Sequence, residues 1–310
     1  MQNEERNNIN LSSEPTQASA SGVAFSLASV LPIVLSLVFL IAVGTGDYAQ
    51  TDWYLYVSYI LPQLGFAITA IWFLRYTKTP IKSVVKSQKC APKYFAIALL
   101  LQVGLFFLSE LNALFLSFLG NFGYEDAGIA LPSMDGFGFV GVLVVVALLP
   151  AIFEEIMFRG ILLGGLKNFG KVGAILLCGA LFSLYHQNPA QTLYQFCCGV
   201  AFALIAVRSG SVLPTMLAHY FNNAFILALT KFGVESFMAP VTVVVLLLSP
   251  ICLIGSLVWL FAFDKKKEEK EENEQEVTPN KSERKRFFGY ASVGLTICVL
   301  MWIAVLVSGL

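Results

Sequence analysis

The sequence predicts an all-α protein: a polytopic bundle of transmembrane helices with about nine spans and a cytoplasmic N-terminus. Hydrophobic residues make up 57% of the 310 residues, and charged residues make up 13%, against roughly 25% in an average soluble protein. The mean hydropathy is +0.73. Several apolar runs reach the ~20 residues that a helix needs to cross the hydrocarbon core of a bilayer. These features argue against a soluble protein with a large core.

The elements follow from the apolar runs in chain order. The candidate spans are residues 24–43, 53–74, 94–119, 137–166, 172–187, 191–207, 212–230, 240–263 and 288–308. The fourth is longer than a bilayer requires, so we expect it to tilt or project. The fifth and sixth are short and are joined by the brief turn HQNPA, and merging them would leave eight spans.

The basic residues predict the orientation. Of the 20 lysines and arginines, all but Arg159 and Lys231 fall in the N-terminal tail or in loops on one side of this arrangement. Cytoplasmic loops carry an excess of such residues. This side is therefore expected to be cytoplasmic, with the C-terminus on the outer side.

The same features divide the chain into regions. We expect a polar tail over 1–23, N-terminal spans over 24–136, a core over 137–230, a further span within 231–263, a charged cytoplasmic loop over 264–286 and a last span within 287–310. The first apolar run is expected to be a retained span, because it lacks the basic start and cleavage site of a signal peptide. The six cysteines show no spacing typical of a zinc or redox site.

The fourth span contains three charged side chains, Glu154, Glu155 and Arg159. An ionised group near the bilayer centre costs about 2.5–3.5 kcal/mol on insertion scales, so intramembrane charges indicate function by default. Glu155 and Arg159 are four residues apart and share a helix face, where they can pair. Glu154 points ~100° away around the helix and is left as the unpaired carboxylate.

The only two histidines, His186 and His219, also lie in predicted spans. At ~1.5 Å per residue, Glu154, His186 and Asn223 all lie roughly 20 Å from the cytoplasmic edge, and His219 lies one turn shallower. Polar side chains can also serve as structural contacts between transmembrane helices. Because their depths match, we favour a shared site, with Glu154 facing His186, and with His219 and Asn223 on one face of their helix.

This set of side chains suits peptide hydrolysis. A desolvated glutamate can act as a general base on water, so we assign that role to Glu154 and expect His186 to orient the water. His219 and Asn223 would supply the donors that a tetrahedral oxyanion requires. Ser183 has no evident aspartate–histidine relay and is discounted as a nucleophile. Glu110 and Asn112 form a weaker candidate pair that either lines the same cavity or caps a helix end.

Three motifs follow one another on successive membrane segments: EEIMFR matches EExxxR, FSLYH matches FxxxH, and HYFNN matches HxxxN. Over about residues 137–230 the chain resembles the CPBP (Abi) family, which includes the type II CAAX prenyl endopeptidases and many bacterial intramembrane proteases. The resemblance implies an all-helical membrane core with Glu154 as base, Glu155 and Arg159 supporting it, His186 sharing the water, and His219 with Asn223 binding the oxyanion.

Cofactors and partners follow from the same interpretation. No cofactor is favoured, although Glu154, His186 and His219 are a possible zinc set as a minority alternative. The helical HExxH pattern of zinc proteases is missing. We expect a peptide or membrane-protein substrate, contact with the lipid bilayer and no nucleic-acid partner.

Two other functions compete with an intramembrane endopeptidase at the cell membrane. The first is a non-proteolytic membrane regulator or bacteriocin-immunity protein that binds a partner, in which the motifs would be structural. The second is a transporter or channel. An internal repeat with broken helices is typical of many transporters, and the sequence shows none, so this function ranks last. CAAX-box protein maturation is a further role that the resemblance suggests.

Overall fold

The computed structural model describes residues 17–44, 46–85, 90–233, 238–264 and 280–310. Within these residues it is 85% helical and has no strands, which confirms the predicted all-α class. The ten helices are α1 (Gln17–Val43), α2 (Asp52–Tyr76), α3 (Ile81–Val85), α4 (Lys93–Gly120), α5 (Gly138–Phe169), α6 (Lys171–Tyr185), α7 (Thr192–Ser209), α8 (Leu213–Phe232), α9 (Met238–Val258, continued by a π turn over Trp259–Phe263) and α10 (Lys281–Ser308).

Seven of these helices are long and apolar enough to cross a membrane: α1, α2, α4, α5, α7 with its preceding turn, α9 and α10. The protein is therefore a multi-pass membrane protein. The other two predicted spans correspond to α6, which has only 15 residues, and to α8, whose polar residues lower its hydropathy. A total of nine spans and a cytoplasmic N-terminus stay predictions.

Two helices begin earlier than the sequence suggested. Helix α1 starts at Gln17 instead of residue 24, and its first turn buries Ala18, Ala20 and Ser21. The hydroxyl of Ser21 donates to the carbonyl of Ile161 at 3.1 Å. This small-residue stretch is only weakly hydrophobic, but it packs closely against α5. Residues 1–16 of the predicted tail lie outside the described residues.

Helix α10 starts at Lys281, seven residues before the predicted span. Asn280 caps it by accepting from the backbone N–H groups of Ser282 and Glu283, and Arg284 donates to the carbonyl of Asn168 at 2.7 Å. The end of the predicted charged loop is thus helical and in contact with α5. Residues 265–279 of that loop lie outside the described residues.

Asp264, predicted as the first residue of a solvated loop, is buried, with 3% of its surface exposed. Its carboxylate accepts hydrogen bonds from Lys93 Nζ at 2.6 Å and Tyr94 Oη at 2.5 Å. Burial by itself raises the pKa of this carboxyl, but the two hydrogen bonds and the charge of Lys93 lower it below its usual value. The contact joins the end of α9 to the start of α4.

Helix α5 lies at the centre of the bundle and packs against α1, α2, α6 and α8. Around it, α1 lies between α2 and α10, α4 pairs with α8 and α9, and α6 runs along α7. The α6–α7 contact is unusually close: a Cβ placed on Gly199 would lie 2.7 Å from the Cα of Gly179. Small residues let transmembrane helix backbones approach in this way.

Helix α5 is not uniformly α-helical. Two π turns, Leu143–Leu148 and Ile156–Leu162, lie on either side of the α-helical segment that carries Glu154 and Glu155. Such turns are rare and frequently occur at functional sites, because each inserts a residue and redirects the side chains around it. The two glutamates therefore lie on a locally adjusted part of the central helix.

Candidate active site

The carboxylate of Glu155 is bonded by two neighbouring side chains, Arg159 and His219. Its Oε1 accepts from Arg159 Nη1 at 2.7 Å and lies 3.0 Å from His219 Nδ1. The side chains of Glu155 and Arg159 are fully buried. A carboxylate paired with a guanidinium in this way stays ionised, so Nδ1 of His219 carries the proton of the second bond. The predicted Glu155–Arg159 pair therefore forms, and it also orients His219.

Arg159 has further partners on two other helices. Its Nη2 donates to the carbonyl of Gly199 at 3.2 Å, and its guanidinium carbon lies 4.3 Å from the ring centroid of Phe182. Cation–π contacts of this kind strengthen when the groups are desolvated. The arginine thus connects α5 to the motif segments on α6 and to α7.

Glu154 is 7% exposed, and its Oε2 has no hydrogen-bond partner among the described residues. The nearest imidazole is that of His219, whose Nε2 lies 4.0 Å from this oxygen. We expected His186 as the facing residue, yet no ion pair within 4.0 Å is formed between Glu154 and His186. His219 on α8 contacts both glutamates, at 4.0 Å from Glu154 and 3.0 Å from Glu155.

His186 follows the last residue of α6 and is half-buried. Its Nδ1 lies 2.8 Å from the carbonyl oxygen of Phe182. A carbonyl only accepts, so Nδ1 carries the hydrogen and Nε2 of the neutral ring is an acceptor. The ring of Phe182 packs edge-on against His186 at 4.7 Å and against His219 at 6.0 Å between centroids. Both histidines therefore contact the same aromatic ring.

Asn223 faces the first π turn of α5. Its Nδ2 donates to the carbonyl of Val146 at 3.3 Å, and its Oδ1 accepts from Asn222 Nδ2 at 3.0 Å. A primary amide has two N–H donors, so one N–H of Asn223 remains after the bond to Val146. This orientation keeps the nitrogen of Asn223, and not its oxygen, available as a donor.

A polar network behind Asn223 was not predicted from the sequence. Asn222 is buried, and its Oδ1 accepts from Gln102 Nε2 and from Tyr194 Oη, both at 2.8 Å. These three residues come from α8, α4 and α7. The position of Gln102 inside a long apolar run could have indicated this network. A neutral amide in such a run is a weaker indication of function than a charged side chain.

Gln63 on α2 was also missed. It is 6% exposed and is a hydrogen-bonding neighbour of the Glu154 carboxylate. It is one of two polar residues, with Thr69, among the buried positions of α2, which also include Phe66, Ala70 and Phe73. A polar residue at an apolar position of this helical repeat is the signal that would have identified it.

The weaker candidates have structural contacts. Asn112 donates to the carbonyl of Ala190 at 2.7 Å and accepts from the backbone of Tyr194 at 3.3 Å, so it stabilises the start of α7. Glu110 is exposed. Ser183 donates to the carbonyl of Thr192 at 2.7 Å. None of these contacts builds a relay of catalytic groups.

The metal-ligand alternative was Glu154, His186 and His219. Among the described residues, no group of three or more His, Cys, Asp or Glu side chains is arranged to hold a metal ion. Each histidine bonds through Nδ1, to Phe182 and to Glu155 respectively, and keeps Nε2 free within the part of the chain that the structure describes, which by itself is compatible with a metal ligand. The fit fails on convergence, because Glu154, His186 and His219 do not come together as a group of three ligands.

Residues 136–225 match the model of a family described as type II CAAX prenyl endopeptidase Rce1-like. The match covers α5 to most of α8, which includes all six predicted site residues, and it confirms the resemblance drawn from the three motifs. No curated protein and no solved structure matches the chain. The matched segment and the apolar helices together support an intramembrane peptidase of the CAAX-protease type in general.

Proposed function

We propose that the protein is an intramembrane endopeptidase of the cell membrane that hydrolyses a peptide bond with water activated by Glu154. The observation that carries the proposal is the contrast between two adjacent carboxylates. Glu155 Oε1 is fixed by Arg159 at 2.7 Å and by His219 at 3.0 Å, whereas Glu154 has no such close partner of positive charge: its Oε2 lies 4.0 Å from His219 Nε2 and accepts no hydrogen bond among the described residues. A buried carboxylate that no guanidinium holds is suited to accept a proton from a bound water.

The reaction follows from these positions. Glu154 removes one proton from water as the water oxygen bonds to the scissile carbonyl carbon, and the carbonyl oxygen takes the negative charge. The proton then passes from Glu154 to the amide nitrogen, and the C–N bond breaks. The products are a carboxylic acid and an amine, so atoms and charge balance without a covalent enzyme intermediate.

The developing oxyanion requires N–H donors. Asn223 has one amide hydrogen that is not used by Val146. His219 donates Nδ1–H to Glu155, so a hydrogen bond from its ring to the oxyanion would use Nε2–H. Removing one such donor typically lowers kcat by about 10²–10³. The neutral His186 offers Nε2 as an acceptor for the water.

The test is cleavage of a quenched fluorescent peptide library by the purified full chain in detergent. Glu154→Gln keeps the shape of the side chain and removes the base, so we expect the cleavage rate to fall by about 10²- to 10⁴-fold. Glu125→Gln, at an exposed loop position, is the matched control and should cleave as the wild type does. Equal cleavage by wild type and Glu154→Gln would overturn the assignment of the base.

A further inference from the structure

Two buried oxygen atoms near the site lack a hydrogen-bond donor. Gln63 Oε1 and Glu154 Oε2 are both inaccessible to solvent, and neither has a hydrogen-bond partner among the described residues. Both are acceptors. Gln63 hydrogen-bonds to Glu154, and α2 packs against the part of α5 that carries Glu154. Leaving a buried acceptor without a donor costs about 1–3 kcal/mol, so two of them on neighbouring side chains indicate that a shared donor belongs beside them.

The orientation of the Gln63 amide follows from its neighbour. The carboxylate of Glu154 can only accept, so Gln63 bonds to it through Nε2–H, which leaves Oε1 of the same amide as a buried acceptor without a donor. A water molecule has two O–H donors and can satisfy both acceptors at once. Buried waters typically bond to otherwise unsatisfied polar groups in this way.

The backbone of α2 holds Gln63 in place. Pro62 lies inside the helix immediately before it. Two residues after Gln63, Gly65 packs so closely on Pro32 of α1 that an added Cβ would lie 2.9 Å from the proline ring. Phe66 packs on Tyr185 at 4.9 Å between ring centroids, and on Phe158. Gln63 thus lies on a closely packed part of α2, and unlike the buried Thr69, whose hydroxyl bonds to Gly65, it keeps an unsatisfied oxygen, which is costly within a membrane.

We propose that Gln63 is part of the hydrolytic site, where its Oε1 and Glu154 Oε2 together hold the attacking water. The Nε2–H of the same amide orients the Glu154 carboxylate. This inference rests on the proposed function. It adds a residue on α2, which lies outside the segment 136–225 that matches the family model.

The first experiment is an experimental structure of the full-length wild type at a resolution that shows ordered water. We expect a water within hydrogen-bonding distance of both Gln63 Oε1 and Glu154 Oε2. A protein donor on Gln63 Oε1, or no water between the two oxygens, would overturn the proposal. This result does not depend on finding a substrate, so it is distinguishable from failure of the proposed function.

The second experiment measures cleavage of the quenched peptide library by three variants. Gln63→Met keeps the length of the side chain and removes its hydrogen bonds, whereas Gln63→Glu keeps an acceptor oxygen. Thr69→Val is the matched control, because Thr69 is buried on the same helix and bonds only to its own helix carbonyl, that of Gly65.

We expect Gln63→Met to lower kcat by about 10- to 100-fold with KM unchanged, and we expect Gln63→Glu to retain more of the kcat than Gln63→Met. Thr69→Val should match the wild type. If Gln63→Met retains wild-type kcat, the proposal is wrong. If Gln63→Met does not fold, the wild-type structure decides: a water bonded to both Gln63 Oε1 and Glu154 Oε2 supports the proposal, and its absence contradicts it.

Discussion

The side chain of Asn222 donates a hydrogen bond to the side chain of its neighbour Asn223 at 3.0 Å. The acceptor is Oδ1 of Asn223, so the Asn223 nitrogen must turn the other way, toward Val146 and the proposed oxyanion. Asn222 is itself fixed by Gln102 and Tyr194. The orientation of a proposed catalytic amide is thus set by residues on two other helices.

The variant Tyr194→Phe tests this dependence. It removes the hydroxyl that donates to Asn222 Oδ1, so we expect a loss of about 1 kcal/mol in stability and a fall in kcat through a less ordered Asn223. Thermal unfolding in detergent and library cleavage measure the two effects. Tyr290→Phe, at an exposed position of α10, should change neither. Unchanged kcat in Tyr194→Phe would show that Asn223 does not need this support.

The buried pair of Glu155 and Arg159 predicts a large change in stability. Arg159→Met leaves the Glu155 carboxylate buried without its guanidinium partner, and breaking a buried pair typically costs about 3–5 kcal/mol. We expect the midpoint of thermal unfolding to fall sharply. The double variant Glu155→Gln, Arg159→Met should recover part of this loss, because it leaves no unpaired charge. A double variant no more stable than Arg159→Met would argue that the charge is not the cause.

The close approach of α6 and α7 predicts a steric effect on Arg159. A Cβ at Gly179 would lie 2.5 Å from Val200 Cγ2 and 2.8 Å from its backbone nitrogen. Gly179→Ala should push α7 outward and weaken the bond from Arg159 to Gly199, at a cost of about 1–3 kcal/mol. Gly289→Ala, where nothing lies within 4 Å, should be neutral or stabilising. Thermal unfolding of both variants provides the comparison, and equal midpoints would contradict the close packing.

The contact of Asp264 with Lys93 and Tyr94 predicts a pH dependence outside the spans. The pKa of this carboxyl is lower in the folded protein than its usual value of 3.8. A lowered pKa contributes stability that is present above the unfolded value and is lost as the pH falls through the folded one. We therefore expect stability to decline below about pH 4. Asp264→Asn should be less stable at neutral pH and less sensitive to acid, and an unchanged acid profile would argue against this contribution.

Metal removal separates the glutamate mechanism from the zinc alternative. We expect full library cleavage after exhaustive chelation of the purified protein, and elemental analysis of the active sample should show no bound metal. Activity that disappears with chelation and returns with zinc would instead favour Glu154, His186 and His219 as ligands.

Much of the arrangement follows from the cost of charge in hydrocarbon. That cost made Glu154, Glu155 and Arg159 conspicuous in an apolar run, and the four-residue spacing predicted the pair that forms. Gln63 and Asn222 were not conspicuous, because neutral amides cost less and belong to no motif. Their roles depend on which helices meet, and no local pattern contains that information.

The start of a helix likewise depends on contacts that the local sequence pattern does not contain. The start of α1 is rich in Ala, Ser and Gly, so its hydropathy is modest, yet Ser21 and Ala20 are buried against α5. Packing of small residues, not hydrophobicity, determines where this helix begins. The contact of His219 with both glutamates likewise depends on how α8 meets α5, which spacing rules along a single helix do not include.

The π turns of α5 restrict the number of residues in this helix more than they restrict which apolar residues it contains. Each holds one residue more than an α-helical turn, so deleting one residue from 143–148 would restore a regular helix and rotate the preceding part by about 100°. The Val146 carbonyl would then turn away from Asn223. Exchanges among Val, Leu and Ala in this stretch should be tolerated over evolution, whereas insertions and deletions should be selected against.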